Sequence, residues 1–369
     1  MIEFHGRPFL EYLLEMLRAQ GLERVLLLVG YKAEAIKRYF GDGARFGLDV
    51  EYSETPESDD TGRRLKRAYE RLDPLFLLLY CDNYWPLRYA DLWSRFVSCR
   101  TPAMITVYRN TDGYSRDNVR VDETGLVLTY DKSRTETGLR GVEIGFALLP
   151  KTAVDRLPDE NVSLEATLYP ELVRDRKLSA YLTDHRYYSV GSLERLAPTD
   201  AFLARQPAVL LDRDGVLNRK PPKAEYVRNW EEFEWLPGAL QALQLLTEHA
   251  YRIVIVSNQA GVARGALTDE GLLDIHHNML ADAAQAGARI ERVYYCPHNW
   301  DDGCECRKPQ PGMLFQAQRD WNLDLSRTML IGDDERDTLA AASAGCPSVQ
   351  VSADRSLLDI VKSLTCAYS

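Results

Sequence analysis

The chain has 369 residues, seven cysteines and 45 Lys plus Arg against 55 Asp plus Glu, a formal net charge of −10. That length predicts two domains, each able to bury its own core, and the acidic balance with no basic stripe excludes a nucleic-acid partner. No apolar run reaches membrane-spanning length and Met1-Ile2-Glu3-Phe4-His5 lacks the regions of a signal peptide, so a cytoplasmic chain with no membrane partner and reduced thiols is expected.

In the first half, positions 9–17 carry apolar residues at helical spacing and 25–29 read as a buried strand. A helix over 33–39, a turn at Gly41 and Gly43, and a strand near 48–52 follow. Positions 75–80 form a continuous apolar strand that ends at Cys81-Asp82-Asn83. Strands alternating with helices predict an α/β domain on a parallel sheet. Strand-like pieces at 104–108, 119–121, 127–130 and 142–149 read as its outer, substrate-facing part. There is no internal repeat and no low-complexity tract.

Gly6-Arg7-Pro8-Phe9-Leu10-Glu11-Tyr12-Leu13, positions 78–83, Tyr130-Asp131-Lys132 and Val142-Glu143-Ile144-Gly145 resemble the sugar-1-phosphate nucleotidyltransferases, most nearly their heptose-1-phosphate guanylyltransferase branch. The resemblance implies that Asp82 holds Mg²⁺ and that Lys132 and Glu143 contact a sugar phosphate. Three departures stand out. The family opens with a strand and a Gly-rich, Arg-containing loop, whereas this sequence starts at Met1, after that position. Ser189, in Tyr187-Tyr188-Ser189-Val190-Gly191-Ser192, stands where a second metal-binding aspartate is expected, and the base-binding loop reads Asp60-Thr61-Gly62-Arg63-Arg64. Loss of the first strand would leave exposed ladder groups. The expectation is an incomplete domain without transferase activity that takes GTP only if residues upstream supply the loop. Otherwise it would serve as a sugar-phosphate-binding module or in homo-oligomer formation.

Positions 192–205 read as a helix interrupted near Pro198, and Gln206-Pro207 open a new element. The expected domains are 1–205 and 206–369. A short apolar strand over 208–211 then delivers Asp212-Arg213-Asp214-Gly215. Side chains alternate along a strand, so Asp212 and Asp214 can leave its end into one crevice, where like charges call for a cation or a shared proton. Alone, such a pair more often caps a turn. A polar, Pro-containing loop covers 218–223 and a helix 238–248; a second strand, 253–256, ends at Ser257-Asn258-Gln259. Ser257 and Asn258 can donate to a phosphoryl group, although Ser257 by itself also reads as a helix N-cap. A helix over 268–286 leads to a strand at 293–295.

That strand runs into Cys296-Pro297-His298 and, after a polar turn, Cys304-Glu305-Cys306. Three thiols and an imidazole so close together suit a closed, structural Zn²⁺ site. Lys308 can supply fixed charge to the aspartates, and the planar fork of Arg307 suits a second phosphate or a sugar hydroxyl. A last core strand over 328–331 ends at Gly332-Asp333-Asp334-Glu335-Arg336-Asp337. Asp333 is the natural remaining Mg²⁺ carboxylate, and Asp337 could hold Lys308 or metal-bound water.

The ordered set Asp212/Asp214, Ser257, Lys308 and Asp333/Asp337 resembles the haloacid-dehalogenase phosphatases. With the Cys/His loop it is similar to the branch of D-glycero-D-manno-heptose-1,7-bisphosphate 7-phosphatase and histidinol-phosphate phosphatase. The resemblance implies two Rossmann-like α/β domains, the second without a cap. It also implies Asp212 as nucleophile, Asp214 as acid and base, Mg²⁺ on Asp212, Asp333 and the Asp214 carbonyl, and Arg213, Gln259 and Arg307 on substrate. Asp334 departs from the basic residue frequent in the heptose enzymes. The resemblance of the first half to sugar-phosphate enzymes points to a small heptose bisphosphate as substrate, with histidinol phosphate as the alternative.

Overall fold

The computed structural model describes residues 1–222 and 224–366; Lys223, the end of the predicted polar loop, and residues 367–369 lie outside the described residues. The chain divides into two compact units, Met1–Asp200 and Ala201–Ser369. The division falls inside the helix Leu193–Leu203, which runs unbroken through Pro198 where an interruption was expected. Among the described residues no helix is long and apolar enough to cross a membrane.

The first unit holds a four-stranded sheet in the order Leu178–Thr183, Ala103–Tyr108, Val142–Pro150, Leu75–Leu79. Leu178–Thr183 runs parallel to Ala103–Tyr108, but Val142–Pro150 is antiparallel to both its neighbours. The sheet is therefore mixed rather than parallel throughout, since apolar strands covered on both faces read alike in either direction. Every residue of Ala103–Tyr108 is buried, and Leu168, Tyr169 and Leu172 of the helix Leu164–Arg174 pack into the same core.

A separate parallel pair joins Arg24–Val29 to Asp49–Glu54. Among the described residues, Leu75–Leu79 and Arg24–Val29 are each paired along one edge only. Their leucines stay half-buried, although a continuous apolar run is the pattern of a strand covered on both faces. Such edges invite further pairing.

The second unit is a five-stranded sheet, parallel throughout, in the order Ile290–Cys296, Arg252–Asn258, Ala208–Leu211, Met329–Gly332, Ser348–Gln350. Alternation along the strands divides the core in two. Val209, Leu211, Ile253 and Ile255 face Leu243, Leu272, Met279 and Ile360 on one side. Ala208, Leu210, Val254 and Val256 face Leu314, Ala317 and Ala340 on the other. The strand order reverses at Ala208–Leu211, and in a doubly wound sheet that switch point opens a crevice beyond the carboxyl ends of the strands. Between this strand and the helix Ala239–Glu248 the described residues form only loop and one 3₁₀ turn, Trp230–Glu232, so no cap domain is inserted there.

Candidate active site

The register pairs Leu211 with Ile331, so Asp212 and Asp333 leave adjacent strands close to one level. The Asp212 amide donates to the Ile331 carbonyl (2.9 Å), which extends that pairing by one residue. One carboxylate oxygen from each of Asp212, Asp333 and Asp337 lies within 4.8 Å of the others. Two glycines permit this crowding. A Cβ on Gly215 (φ +94°) would stand 2.3 Å from Asp333 Oδ2, and one on Gly332 would stand 2.3 Å from Asp337 Oδ2.

Lys308 is 2% exposed beneath the cluster. Its ammonium reaches Asp212 Oδ1 (2.9 Å), Asp337 Oδ1 (2.6 Å) and the Val256 carbonyl (2.8 Å). Asn258 sets its place, accepting from the Lys308 amide and donating to the Lys308 carbonyl, both at 3.0 Å. Asn258 also lines the cleft, and the second N–H of its amide is not used by Lys308.

Burial pushes the Asp212 carboxyl up to about 7, with Lys308 pulling the other way and Asp337 and Asp214 adding to the rise. Lys220 approaches Asp333 Oδ2 at 2.7 Å, yet Asp333 Oδ1 is buried with no hydrogen-bond partner among the described residues. Three carboxylates, Asp212 and Asp337 buried and Asp333 partly so, with an unmet oxygen form a set of hard donors that fits Mg²⁺.

Asp214 has a different environment. Burial would raise it, but the Arg213 guanidinium, Asn218 and Gln259 together hold it below the usual carboxylate range. Arg213 Nη2 donates to both Asp214 oxygens at 3.0 Å and to Gln259 Oε1 at 3.1 Å, and Gln259 donates to Asp214 Oδ2 (2.7 Å) and Ser257 Oγ (2.8 Å). Arg213 is fully buried and Gln259 is 2% exposed. Both were expected on substrate. Burial turns them instead into supports that orient Asp214 and Ser257.

Sequence reasoning missed the next partner, His276, whose Nε2 lies 3.2 Å from Arg213 Nη1. Burial, with Arg213 beside it, pushes this imidazole down to about 3, so it faces the guanidinium as a neutral acceptor. Nothing in its local spacing within the helix Asp269–Gln285 marks it. Lys220 and Asn218 were missed for the same reason.

Above these groups opens a cleft of about 700 Å³, walled in part by Lys220, Tyr226, Trp300, Arg307 and Arg336. Arg307 is on the wall, with Nη1 donating to the His298 carbonyl (3.3 Å). Asp334 pairs with Arg336 at 2.9 and 3.0 Å and also caps the helix Glu335–Ala344.

Beside the cleft, Cys296, His298, Cys304 and Cys306 come together. Cys304 Sγ lies 3.6 Å from both Cys296 Sγ and Cys306 Sγ, while His298 Nδ1 lies 3.5 Å from Cys296 Sγ and 3.2 Å from Cys306 Sγ. Ligands about 2.3 Å from a tetrahedral Zn²⁺ put sulfurs about 3.8 Å apart, so the donor set and its spacing fit that ion.

In the first unit the predicted residues are less convergent. Asp82 lies beside Ser189, where Asn83 and Ser189 pair across two short antiparallel strands, and no cluster of three ligating groups forms there among the described residues. Asp82 therefore offers one carboxylate there, with a hydroxyl rather than a second carboxylate beside it. Lys132 pairs with Glu165 (2.6 Å), a residue the sequence did not single out.

Glu143 accepts from the Gly145 amide (2.6 Å) at a bulge in its strand. Burial pushes its carboxyl up to about 8, against the Gly145 amide and with help from Glu165 and Asp82. The folded form therefore binds this proton more tightly than the unfolded chain, and stability falls as pH rises from the ordinary carboxylate range toward 8. The full chain is expected to show a lower first-unit melting temperature at pH about 8.5 than at about 5.5, and Glu143→Gln should flatten that difference in thermal denaturation.

Acidic groups thus stand at the switch point of a doubly wound sheet, over a buried lysine, and residues 305–363 match the HAD-hydrolase-like family. The second unit is a phosphatase of the HAD-like class. The chain is 42% identical over 138 residues to the D-glycero-beta-D-manno-heptose-1,7-bisphosphate 7-phosphatase of Bordetella bronchiseptica, covering 37% of this chain and 76% of that protein. It is 39% identical over 152 residues to the D-glycero-alpha-D-manno-heptose-1,7-bisphosphate 7-phosphatase of Mycobacterium bovis, covering 40% and 80%. The chain belongs to this heptose bisphosphate phosphatase family. For the first half, a solved structure described as a glucose-1-phosphate thymidylyltransferase from Bacillus anthracis superposes with a TM-score of 0.50 at 12% identity, over 55% of this chain and 85% of that one, which shows the fold.

Proposed function

We propose that the chain removes the 7-phosphate of D-glycero-D-manno-heptose 1,7-bisphosphate through an aspartyl-phosphate on Asp212. The observation that carries this reading is the Asp212/Asp333/Asp337 cluster, with Asp212 and Asp337 buried on Lys308 and lining a cleft walled by Arg307, Lys220 and Arg336. A Mg²⁺ ion held by Asp212, Asp333 and the main-chain carbonyl of Asp214 would offset charge on the phosphoryl oxygens.

Asp212 attacks phosphorus and the bond to the sugar oxygen breaks, while Asp214 protonates that oxygen. Asp214 then takes a proton from water, whose oxygen displaces Asp212 and regenerates the carboxylate. Arg213 keeps Asp214 ionised in the free enzyme, the form the second step needs. The proton for the first step arrives with the substrate monoanion, whose second ionisation lies near pH 6. Lys308 and Ser257 hold the phosphoryl oxygens, and Arg307 is placed to meet the remote phosphate.

Zinc on Cys296, His298, Cys304 and Cys306 would pin the wall that carries Trp300 and Arg307. Residence in a reducing cytoplasm keeps those thiols available. In the first unit, Lys132 and Glu143 remain a candidate sugar-phosphate subsite without metal, and the fold of that unit is in keeping with a sugar-pathway enzyme.

The test is a phosphate-release panel with both anomers of the heptose bisphosphate and with histidinol phosphate. Preference for a heptose bisphosphate, with release of the 7-phosphate alone, is expected. Faster release from histidinol phosphate would overturn the substrate assignment. In the same assay, Cys304→Ser is expected to lose its equivalent of zinc by metal analysis, to melt lower, and to need more substrate for half-maximal rate.

A further inference from the structure

We infer that Trp300 is the platform on which the sugar ring of the substrate stacks, and that it sets the preference for a ring-bearing phosphate ester over a short acyclic one; this rests on the phosphatase reading. Trp300 is 51% exposed, an unusual fraction for an indole, and it packs into neither core of the second unit. It is nevertheless held in a defined plane. The Arg264 guanidinium lies over one face, 3.8 Å from the ring centroid. Arg264 is itself fixed by Asn299, accepting from Arg264 Nε at 3.0 Å. Asn299 in turn donates from its amide to Asp302 (2.7 Å) and from its side chain to Asp301 (2.8 Å).

The turn is further anchored by the flanking donors Cys296, His298, Cys304 and Cys306. One face of the indole is thus occupied by a cation, the residue is half accessible, and it lines the same cleft as Asp212 and Arg307. A pyranose offers an apolar C–H face that matches an open aromatic face, leaving its hydroxyls and remote phosphate to the polar wall. Asp212 and Lys308 at the floor take the phosphoryl group, so a wall residue such as Trp300 meets the leaving group. Arg264, which touches Trp300 and is not among the residues lining the cleft, is a positioning residue.

The experiment reads binding rather than turnover. Calorimetry on the full chain with Mg²⁺, carrying Asp212→Asn so that no turnover intervenes, compares heptose 1,7-bisphosphate, glycerol 3-phosphate and inorganic phosphate for that chain alone and with Trp300→Ala, Trp300→Phe or Arg264→Gln added. Aromatic contacts of this kind correspond to about 3- to 10-fold in Kd. Trp300→Ala is expected to weaken the sugar bisphosphate by that factor and leave glycerol 3-phosphate and phosphate unchanged. Trp300→Phe should recover most of the loss, and Arg264→Gln should fall between. An equal weakening of all three ligands by Trp300→Ala would show loop collapse and overturn the assignment, as would an unchanged Kd for the sugar. Binding of the sugar through Trp300, with no phosphate released by the chain that keeps Asp212, would count against the phosphatase reading alone.

Discussion

Asp212→Asn is expected to lose phosphate release by roughly 10⁴- to 10⁶-fold while the protein stays folded, the scale on which removal of a covalent nucleophile acts. The amide keeps the shape of the carboxylate, and its oxygen can still accept from the Arg213 amide (2.8 Å) and from Lys308 (2.9 Å). It also removes a charge that burial, Asp337 and Asp214 all disfavour. The melting temperature should therefore change little. Phosphate-release rates read beside a thermal melt separate the two effects. More than about 1% residual activity in a folded variant would refute Asp212 as the nucleophile, given the expected scale.

Lys308→Met should cost both stability and activity. Its ammonium bridges two buried carboxylates, and removing one partner of a buried ion pair costs about 3–5 kcal/mol because the other charge is stranded. For a domain of this size that corresponds to a fall of roughly 10 °C in melting temperature. With Lys308 gone, the strongest charge that pulls Asp212 down is lost and its carboxyl rises further. The nucleophile is then protonated at neutral pH, so residual activity should increase as pH is raised. Lys308→Met/Asp337→Asn removes one stranded charge and is expected to recover much of the stability, by calorimetry, without recovering turnover. If the single variant melted like the unchanged chain, the buried bridge would not be the support proposed for it.

Much of the second unit was legible in its sequence because its signals are local. An apolar run of strand length followed at once by Asp212 and Asp214 forces those groups to a strand end, and the same holds for Ser257 after Val256 and Asp333 after Gly332. The Cys/His loop is legible for a like reason, since four soft donors within one short stretch cannot lie far apart. The first unit was less legible. Leu75–Leu79 is apolar throughout and Val142–Pro150 is so apart from Glu143, and nothing in such a run tells which way its neighbour points.

Residue order along each strand was enough to set which groups reach the crevice, because backbone geometry carries that information within a few residues. It did not set which way Arg213, Gln259 and Asn258 turn once there. Arg213 is drawn inward by His276, which comes from a helix some sixty residues later, and Asn258 is held by the main chain of Lys308, fifty residues on. Those choices depend on which polar atoms remain without partners once the helices close over the sheet, and that is a property of the packed molecule. Local chemistry selected the reaction; burial decided which residues perform it and which ones hold them in place.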